Sequence, residues 1–169
     1  RPKSATDVSC SLKPVAKRLS KLIDSPVAFA PDCVGEEATK AAAMLKSGEV
    51  LLLENLRYHV EEEKNDKVFA QSLASLADIF VQDGFGVVHR AHASTDAVTK
   101  FLPSVAGLLL EREVDTITTV MDNPKRPLMA VIGGAKIADK IDVLNRFIDI
   151  ADFLVVGGAM ANTFLTAEG

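Results

Sequence analysis

No apolar run in this chain reaches the roughly 20 residues of a membrane-spanning helix, and the first residues carry no apolar core of the kind found in a signal peptide. Long basic blocks are also missing, and the formal net charge is -4, so neither a membrane nor a nucleic acid is the expected main partner. A few clustered arginines can still make a local positive patch on an acidic protein. Cysteine is scarce: Cys10 and Cys33 match no metal-motif spacing and read as free thiols of a reducing compartment. The Walker pattern Gly-x-x-x-x-Gly-Lys-Ser/Thr is absent, and neither Gly133-Gly134 nor Gly157-Gly158 belongs to a Gly-x-Gly-x-x-Gly fingerprint, so no nicotinamide cofactor is assigned.

What is present is a core and a grammar. With 48% hydrophobic residues over 169 positions, the chain can bury a real core, and its length suggests one domain or slightly more. Leu12, Val15, Ala16, Leu19 and Ile23 mark one face of a helix, with Ser11 as N-cap and Pro14 in the first turn. Val27 to Ala30 is a short strand, residues 36 to 45 a helix ended by Gly48, and Val50 to Leu53 a strand whose four apolar residues leave no wet face. A helix follows over residues 66 to 77, then a strand from Ile79 to Val81. Ser104 to Met121 reads as one long helix anchored by Val105, Leu108, Leu109, Val114, Ile117 and Val120; a domain connector or a crossover helix would each look like this. Leu128 to Ile132, Gly133-Gly134, a helix over residues 136 to 150, Phe153 to Val156 and Gly157-Gly158 then repeat strand, glycine pair and helix. That alternation is the pattern of a doubly wound α/β sheet, in which glycines at strand ends let a ligand approach the backbone.

Three places carry chemistry. Asp83 to Thr95 follows a strand and gathers two glycines, His89, Arg90 and His92; it is either an anion site at a strand's carboxyl end or a polar loop with a solvated arginine. Arg57 comes just past the strand ending at Leu53, so it lies on the same rim as Arg90 or pairs with Glu54 or the acidic run Glu61 to Glu63, itself read as a surface feature. Lys136 and Lys140 share one side of a helix, with Lys136 in its first turn. Cations there oppose the helix dipole at a cost of up to about 1 kcal/mol, which a bound anion would explain; surface lysines are the alternative.

Leu52-Leu53-Glu54-Asn55-Leu56-Arg57-Tyr58-His59, Phe85-Gly86 with His89-Arg90-Ala91-His92-Ala93-Ser94, Phe101-Leu102-Pro103-Ser104-Val105-Ala106-Gly107, and Ile132-Gly133-Gly134-Ala135-Lys136 with Asp139-Lys140 together resemble the phosphoglycerate kinase family over essentially the whole chain. The resemblance implies an α/β fold made of Rossmann-like parallel-sheet units of a two-domain kinase, both incomplete in this chain. Residues 1–103 would belong to the phosphoglycerate-binding domain, 104–122 to the interdomain helix and 123–169 to the start of the nucleotide-binding domain. It further implies a cytoplasmic, usually monomeric glycolytic enzyme that moves a phosphoryl group between 1,3-bisphosphoglycerate and magnesium-ADP, giving 3-phosphoglycerate and ATP.

By the same resemblance, Arg1, Arg57 and Arg90 match the family's phosphoglycerate-binding arginines, and His89 is a substrate neighbour while His92 is structural. Lys136 and Lys140 match the lysines at the transferring phosphoryl group; Gly133 and Gly134 match the nucleotide-phosphate loop, and Gly157 and Gly158 the edge beside adenosine. Mg²⁺ would be held mainly through the nucleotide and by residues outside this chain. Two departures stand out, Gly84 and Val87, where the family usually has alanine and threonine. The family's first strand would precede Arg1 and most of the nucleotide domain would follow Gly169, so the chain alone is expected to be inactive. A noncatalytic α/β protein binding phosphate or carboxylate, and a purely structural fragment with exposed sheet edges, are the rival readings.

Overall fold

In a computed structural model, residue 2, residues 7–134 and residues 140–169 are described. Arg1 and Lys136 therefore lie outside the described residues. The chain divides into two compact units, Arg1–Glu111 and Arg112–Gly169.

In the first unit, α1 (Lys13–Leu22) leads to β1 (Val27–Ala30), α2 (Gly35–Ala43) and β2 (Val50–Leu53). A short α3 (Val60–Glu63) and α4 (Lys67–Ala74) precede β3 (Phe80–Gln82) and β4 (Ser104–Ala106). β1 and β2 pair in parallel, Val27 opposite Val50 and Ala30 opposite Leu53; β3 and β4 do likewise, Phe80 opposite Ser104. The two pairs are separate sheets. Leu51, Leu52 and Leu53 face Ile79 and Phe80 across a cavity of ≈ 670 Å³. This corrects the reading of β2 as a fully buried strand: all four of its residues are half-buried, and Leu51, Leu52 and Leu53 border the cavity. The core sits elsewhere, where Cys33, Phe69, Ala70, Ala93 and Ala97 pack together beneath Leu53, Leu56 and Leu73.

The α1 start differs from the sequence expectation. Leu12, not Ser11, is the capping position. Ser11 Oγ takes the Lys13 amide at 3.3 Å and donates to Glu54 Oε2 at 2.6 Å, while Glu54 Oε1 accepts the Leu12 amide at 2.7 Å. The helix's orphan donors are thus met in part by a carboxylate at the end of β2.

The helical stretch expected from Ser104 begins at Leu108. Ser104 to Ala106 are drawn into extended pairing with β3, and α5 (Leu108–Asp122) starts only after Gly107. None of its residues is buried, and Leu108 is 79% exposed; the apolar residues named as anchors are a stripe, not a packed core.

The second unit continues through β5 (Met129–Gly133), α6 (Ile141–Ile150), β6 (Phe153–Gly157) and α7 (Ala159–Glu168). β5 and β6 are parallel, with Gly133 opposite Gly157. Ala130, Leu144 and Met160 are buried, while Met129, Val131, Phe153 and Val155, which share one face of the pair by strand alternation, are exposed. The helix expected to begin at Lys136 is described only from Ile141.

Candidate active site

β2 and β3 both end in tight 3₁₀ turns, Leu56–Tyr58 and Phe85–Val87, and these turns begin the first candidate cluster. Asn55 shapes the turn after β2: its side-chain oxygen accepts the Arg57 amide at 3.0 Å and its amide group donates to the Cys10 carbonyl at 2.9 Å. The turn presents Arg57, half-buried, whose guanidinium pairs with Glu63 and lies 3.2 Å, through Nη2, from His92 Nδ1. One of the pairings anticipated for Arg57 is therefore made, and the same arginine reaches the loop that carries Arg90.

That loop is held by its main chain. Thr95 Oγ1 donates to the Arg90 carbonyl at 2.6 Å, and the His92 amide donates to the same carbonyl at 3.1 Å. The Ala93 amide donates to the Glu62 carbonyl at 2.9 Å, and Ala93 itself is part of the buried core. The Arg90 guanidinium, half-buried, has no hydrogen-bond or ion-pair partner among the described residues, and His89 is exposed. A fixed backbone with an uncommitted planar fork of donors suits a carboxylate or phosphate.

The acidic run is not the uniform surface feature read from the sequence. Glu61 and Glu63 are exposed or partly so, but Glu62 is 2% exposed. A burial in the middle of a charged run leaves no signal in hydropathy, because its cause is a loop some thirty residues away.

The two departures from the family pattern touch each other. A Cβ at Gly84 would lie 3.1 Å from Val87 Cγ2 and 3.3 Å from Gln82 Oε1, the oxygen that accepts the Gly84 amide at 2.9 Å. Glycine suits that crowded turn.

Asp32, Cys33 and His59 were not linked by sequence spacing, yet their donor atoms lie within 4.8 Å of one another. They are the described residues that could close on a metal ion. Asp32 Oδ1 is already committed to His59 Nε2 at 2.7 Å and to the Cys33 amide at 2.6 Å. Burial tends to raise the Asp32 carboxyl, but the hydrogen bonds from His59 and the Cys33 amide outweigh it and hold the group below the ordinary carboxylate value. The Cys33 thiol, buried in the apolar core beside that carboxylate, is pushed up to about 12. In this protein the three residues lock the turn that starts α2.

The second cluster stands at the carboxyl ends of β5 and β6. Lys140 Nζ donates to the Gly133 carbonyl at 2.7 Å. Gly134 has φ +147°, and a Cβ there would lie 2.5 Å from Lys140 Nζ. Gly158, at φ +65°, abuts it: a Cβ on Gly158 would be 3.4 Å from the Gly134 amide nitrogen. The Met160 amide at the start of α7 donates to the Gly134 carbonyl at 3.0 Å. The four predicted glycines and Lys140 are brought together, and a side chain on Gly134 or Gly158, both at positive φ, would strain the turns. Arg57, Arg90 and His89 belong to the other unit.

An arginine cluster past β2 and β3 stands in one unit and a lysine over a double-glycine turn in the other; comparisons with known proteins give the family. The phosphoglycerate kinase family model matches residues 1–169. The chain belongs to the phosphoglycerate kinase family. It is 55% identical to phosphoglycerate kinase of Syntrophobacter fumaroxidans over 170 residues, covering 100% of this chain and 43% of that protein. The corresponding protein of Desulforudis audaxviator is 56% identical over 169 residues, again with 100% and 43% covered. Among solved structures, phosphoglycerate kinase from Coxiella burnetii superposes with a TM-score of 0.80 at 38% identity, covering 100% of this chain and 42% of that one. The enzyme from Pyrococcus horikoshii gives 0.82 at 32% identity, with 94% and 42% covered. The chain thus spans somewhat under half the length of the phosphoglycerate kinases it matches, and its α/β parallel-sheet units are shared with them.

Proposed function

We propose that this chain is part of an enzyme that reversibly transfers a phosphoryl group between 1,3-bisphosphoglycerate and ADP in glycolysis, giving 3-phosphoglycerate and ATP. The observation that carries the reading is Arg90: its carbonyl is doubly hydrogen-bonded while its guanidinium has no partner among the described residues. Arg57, His89 and Arg90, with Arg1, bind the phosphate and carboxylate of the glycerate. Residues 1–103 form the phosphoglycerate-binding part, the α5 segment is the connector, and residues 123–169 begin the nucleotide-binding part.

Lys140, with Lys136, is assigned to the transferring phosphoryl group, and Gly133, Gly134, Gly157 and Gly158 to the nucleotide. The cradle fits a phosphate-bearing ligand because backbone amides can approach it without a Cβ in the way. In the ATP-consuming direction a carboxylate oxygen of 3-phosphoglycerate attacks the γ-phosphorus, the bond from that phosphorus to the β–γ bridging oxygen breaks, and ADP leaves. The nucleophile is already an anion, so no general base is required and His89 has no proton to take. The protein's task is alignment and charge neutralisation: arginines hold the acceptor and lysines face the equatorial oxygens. Mg²⁺ entering with the nucleotide would neutralise further phosphate charge; no residue of this chain is assigned to it. The enzyme is inferred to be cytoplasmic and monomeric, and the 169-residue chain alone to have no turnover.

The test is a coupled assay of 3-phosphoglycerate-dependent ATP consumption, paired with intact mass. Full-length protein should be active, Arg90→Ala should raise KM for 3-phosphoglycerate, and Lys140→Ala should mainly lower kcat. Unchanged kinetics in both variants would refute the site assignment. Binding of 3-phosphoglycerate with no phosphoryl transfer would favour the noncatalytic anion-binding protein instead.

A further inference from the structure

The loop that presents His89 and Arg90 is bolted at its far end to one buried carboxylate. Glu62 Oε2 accepts the Ser94 amide at 3.0 Å and Oε1 accepts the Ser94 hydroxyl at 2.6 Å, while the Glu62 carbonyl takes the Ala93 amide at 2.9 Å. Residues 93 and 94 are thereby fixed by three hydrogen bonds to one residue of α3. His92 Nδ1 stands 3.8 Å from Glu62 Oε1 and 3.2 Å from Arg57 Nη2, and Arg57 is paired with the neighbouring Glu63. Both arginines of the cluster are thus tied to α3: Arg57 directly through Glu63 and across His92, and Arg90 through the loop that Glu62 anchors. Asn65, at φ +55°, extends the seam by accepting the Ala97 amide at 3.0 Å and donating to Asp96 at 2.6 Å.

A buried carboxylate is expensive unless its oxygens are hydrogen-bonded, and here the partners belong to the binding loop and not to the helix that carries it. We propose that Glu62 is a positioning residue for the anion cluster: it sets where Arg90 and Arg57 stand and thereby the affinity for 3-phosphoglycerate, without touching substrate. The inference rests on the phosphoglycerate reading above. Its chemistry is a division of labour in which Glu63 neutralises Arg57 in part while Glu62 spends its acceptors on the loop backbone.

The experiment uses the full-length protein with Glu62→Ala, Glu62→Gln and Ser94→Ala. Steady-state kinetics with 3-phosphoglycerate and ATP varied separately are combined with hydrogen exchange of residues 89–95. Glu62→Ala should speed exchange across the loop and raise KM for 3-phosphoglycerate about tenfold or more, as misplacing a positioning group by a fraction of an ångström does, while KM for ATP stays within about twofold. Glu62→Gln keeps the shape and can still accept the Ser94 amide while donating to its hydroxyl oxygen, so it should recover most of the lost affinity. Ser94→Ala removes one bond of three and, should Glu62→Ala not fold, carries the test: KM for 3-phosphoglycerate should rise about threefold at unchanged melting temperature. Equal changes in both KM values, or a loosened loop with KM for 3-phosphoglycerate unmoved, would overturn the role of Glu62. A wild-type protein that neither binds nor turns over 3-phosphoglycerate would overturn the functional reading and the substrate half of this inference together.

Discussion

Gly107 should tolerate nothing larger than hydrogen, and the reason is Asp83. Asp83 Oδ1 accepts the amides of Leu109 at 2.7 Å and Leu110 at 3.0 Å, so a residue at the end of β3 caps α5 from outside that helix. A Cβ at Gly107 would lie 2.5 Å from both Asp83 Cβ and Oδ1. The clash is with a Cβ as well as with the carboxylate, so a rotamer change cannot relieve it. Gly107 is not among the glycines with positive φ; on backbone grounds alone alanine would stabilise by about 0.4–1 kcal/mol. Against that stand loss of a cap, about 1–2 kcal/mol, and overpacking of about 1–3 kcal/mol. Gly107→Ala should therefore destabilise by about 3 kcal/mol in urea unfolding followed by circular dichroism. Asp83→Gly removes the three atoms nearest that Cβ, and in that background Gly107→Ala should cost less than about 0.5 kcal/mol, a coupling near the full effect. An equal cost in both backgrounds would refute the contact as the cause.

Three further outcomes follow from the same geometry. Burial tends to raise the Glu54 carboxyl, but hydrogen bonds from Ser11 and from the Leu12 and Asn55 amides hold it below the ordinary carboxylate value; its stabilisation is present above that value, about 4.3 for glutamate, and is lost as pH falls through the lower folded-state value. Glu54→Gln should cost about 1–3 kcal/mol at neutral pH, with a gap to wild type that closes in acid, and a gap constant with pH in urea unfolding would count against it. With its thiol pushed up to about 12, first by burial and then by Asp32, Cys33 should resist alkylation in the native protein while half-buried Cys10 reacts, and mass spectrometry showing equal labelling would contradict this. Gly134→Ala forces a side chain into φ +147° and onto Lys140 Nζ; it should destabilise by about 1–3 kcal/mol and depress kcat for ATP consumption, and wild-type kinetics would detach the cradle from catalysis.

Period and punctuation in the sequence located β1 and β2 to the residue, and β3, β5 and β6 to within one, since short apolar runs bounded by Pro31, Glu54 and the glycine pairs leave little room for another reading. The start of α5 was not legible. Ser104 to Ala106 fit a helical stripe as well as a strand, and only pairing with Phe80 to Gln82, more than twenty residues upstream, decides for the strand. Ser11 has the chemistry of a cap, but Glu54 arrives from β2 to share the task. Both misses are tertiary contacts overriding a local preference.

The same distinction governs the candidate site. Arg57, Arg90 and Lys140 were visible because cations past strand ends are conspicuous where nothing local requires them. Glu62 was hidden because its surroundings, Glu61, Glu63 and Lys64, read as a solvated charged turn. Yet the visible cations depend on anchors of the hidden kind: the Arg90 carbonyl on Thr95, the next turn of the loop on Glu62, the ammonium of Lys140 on the Gly133 carbonyl. For Arg90, whose guanidinium has no partner among the described residues, the forces that place it act on the loop backbone, and they come from Thr95 and Glu62, whose own sequence context is ordinary. Substitutions that alter substrate affinity without altering any substrate contact should therefore concentrate at Glu62, Ser94 and Thr95, not at the exposed Glu61.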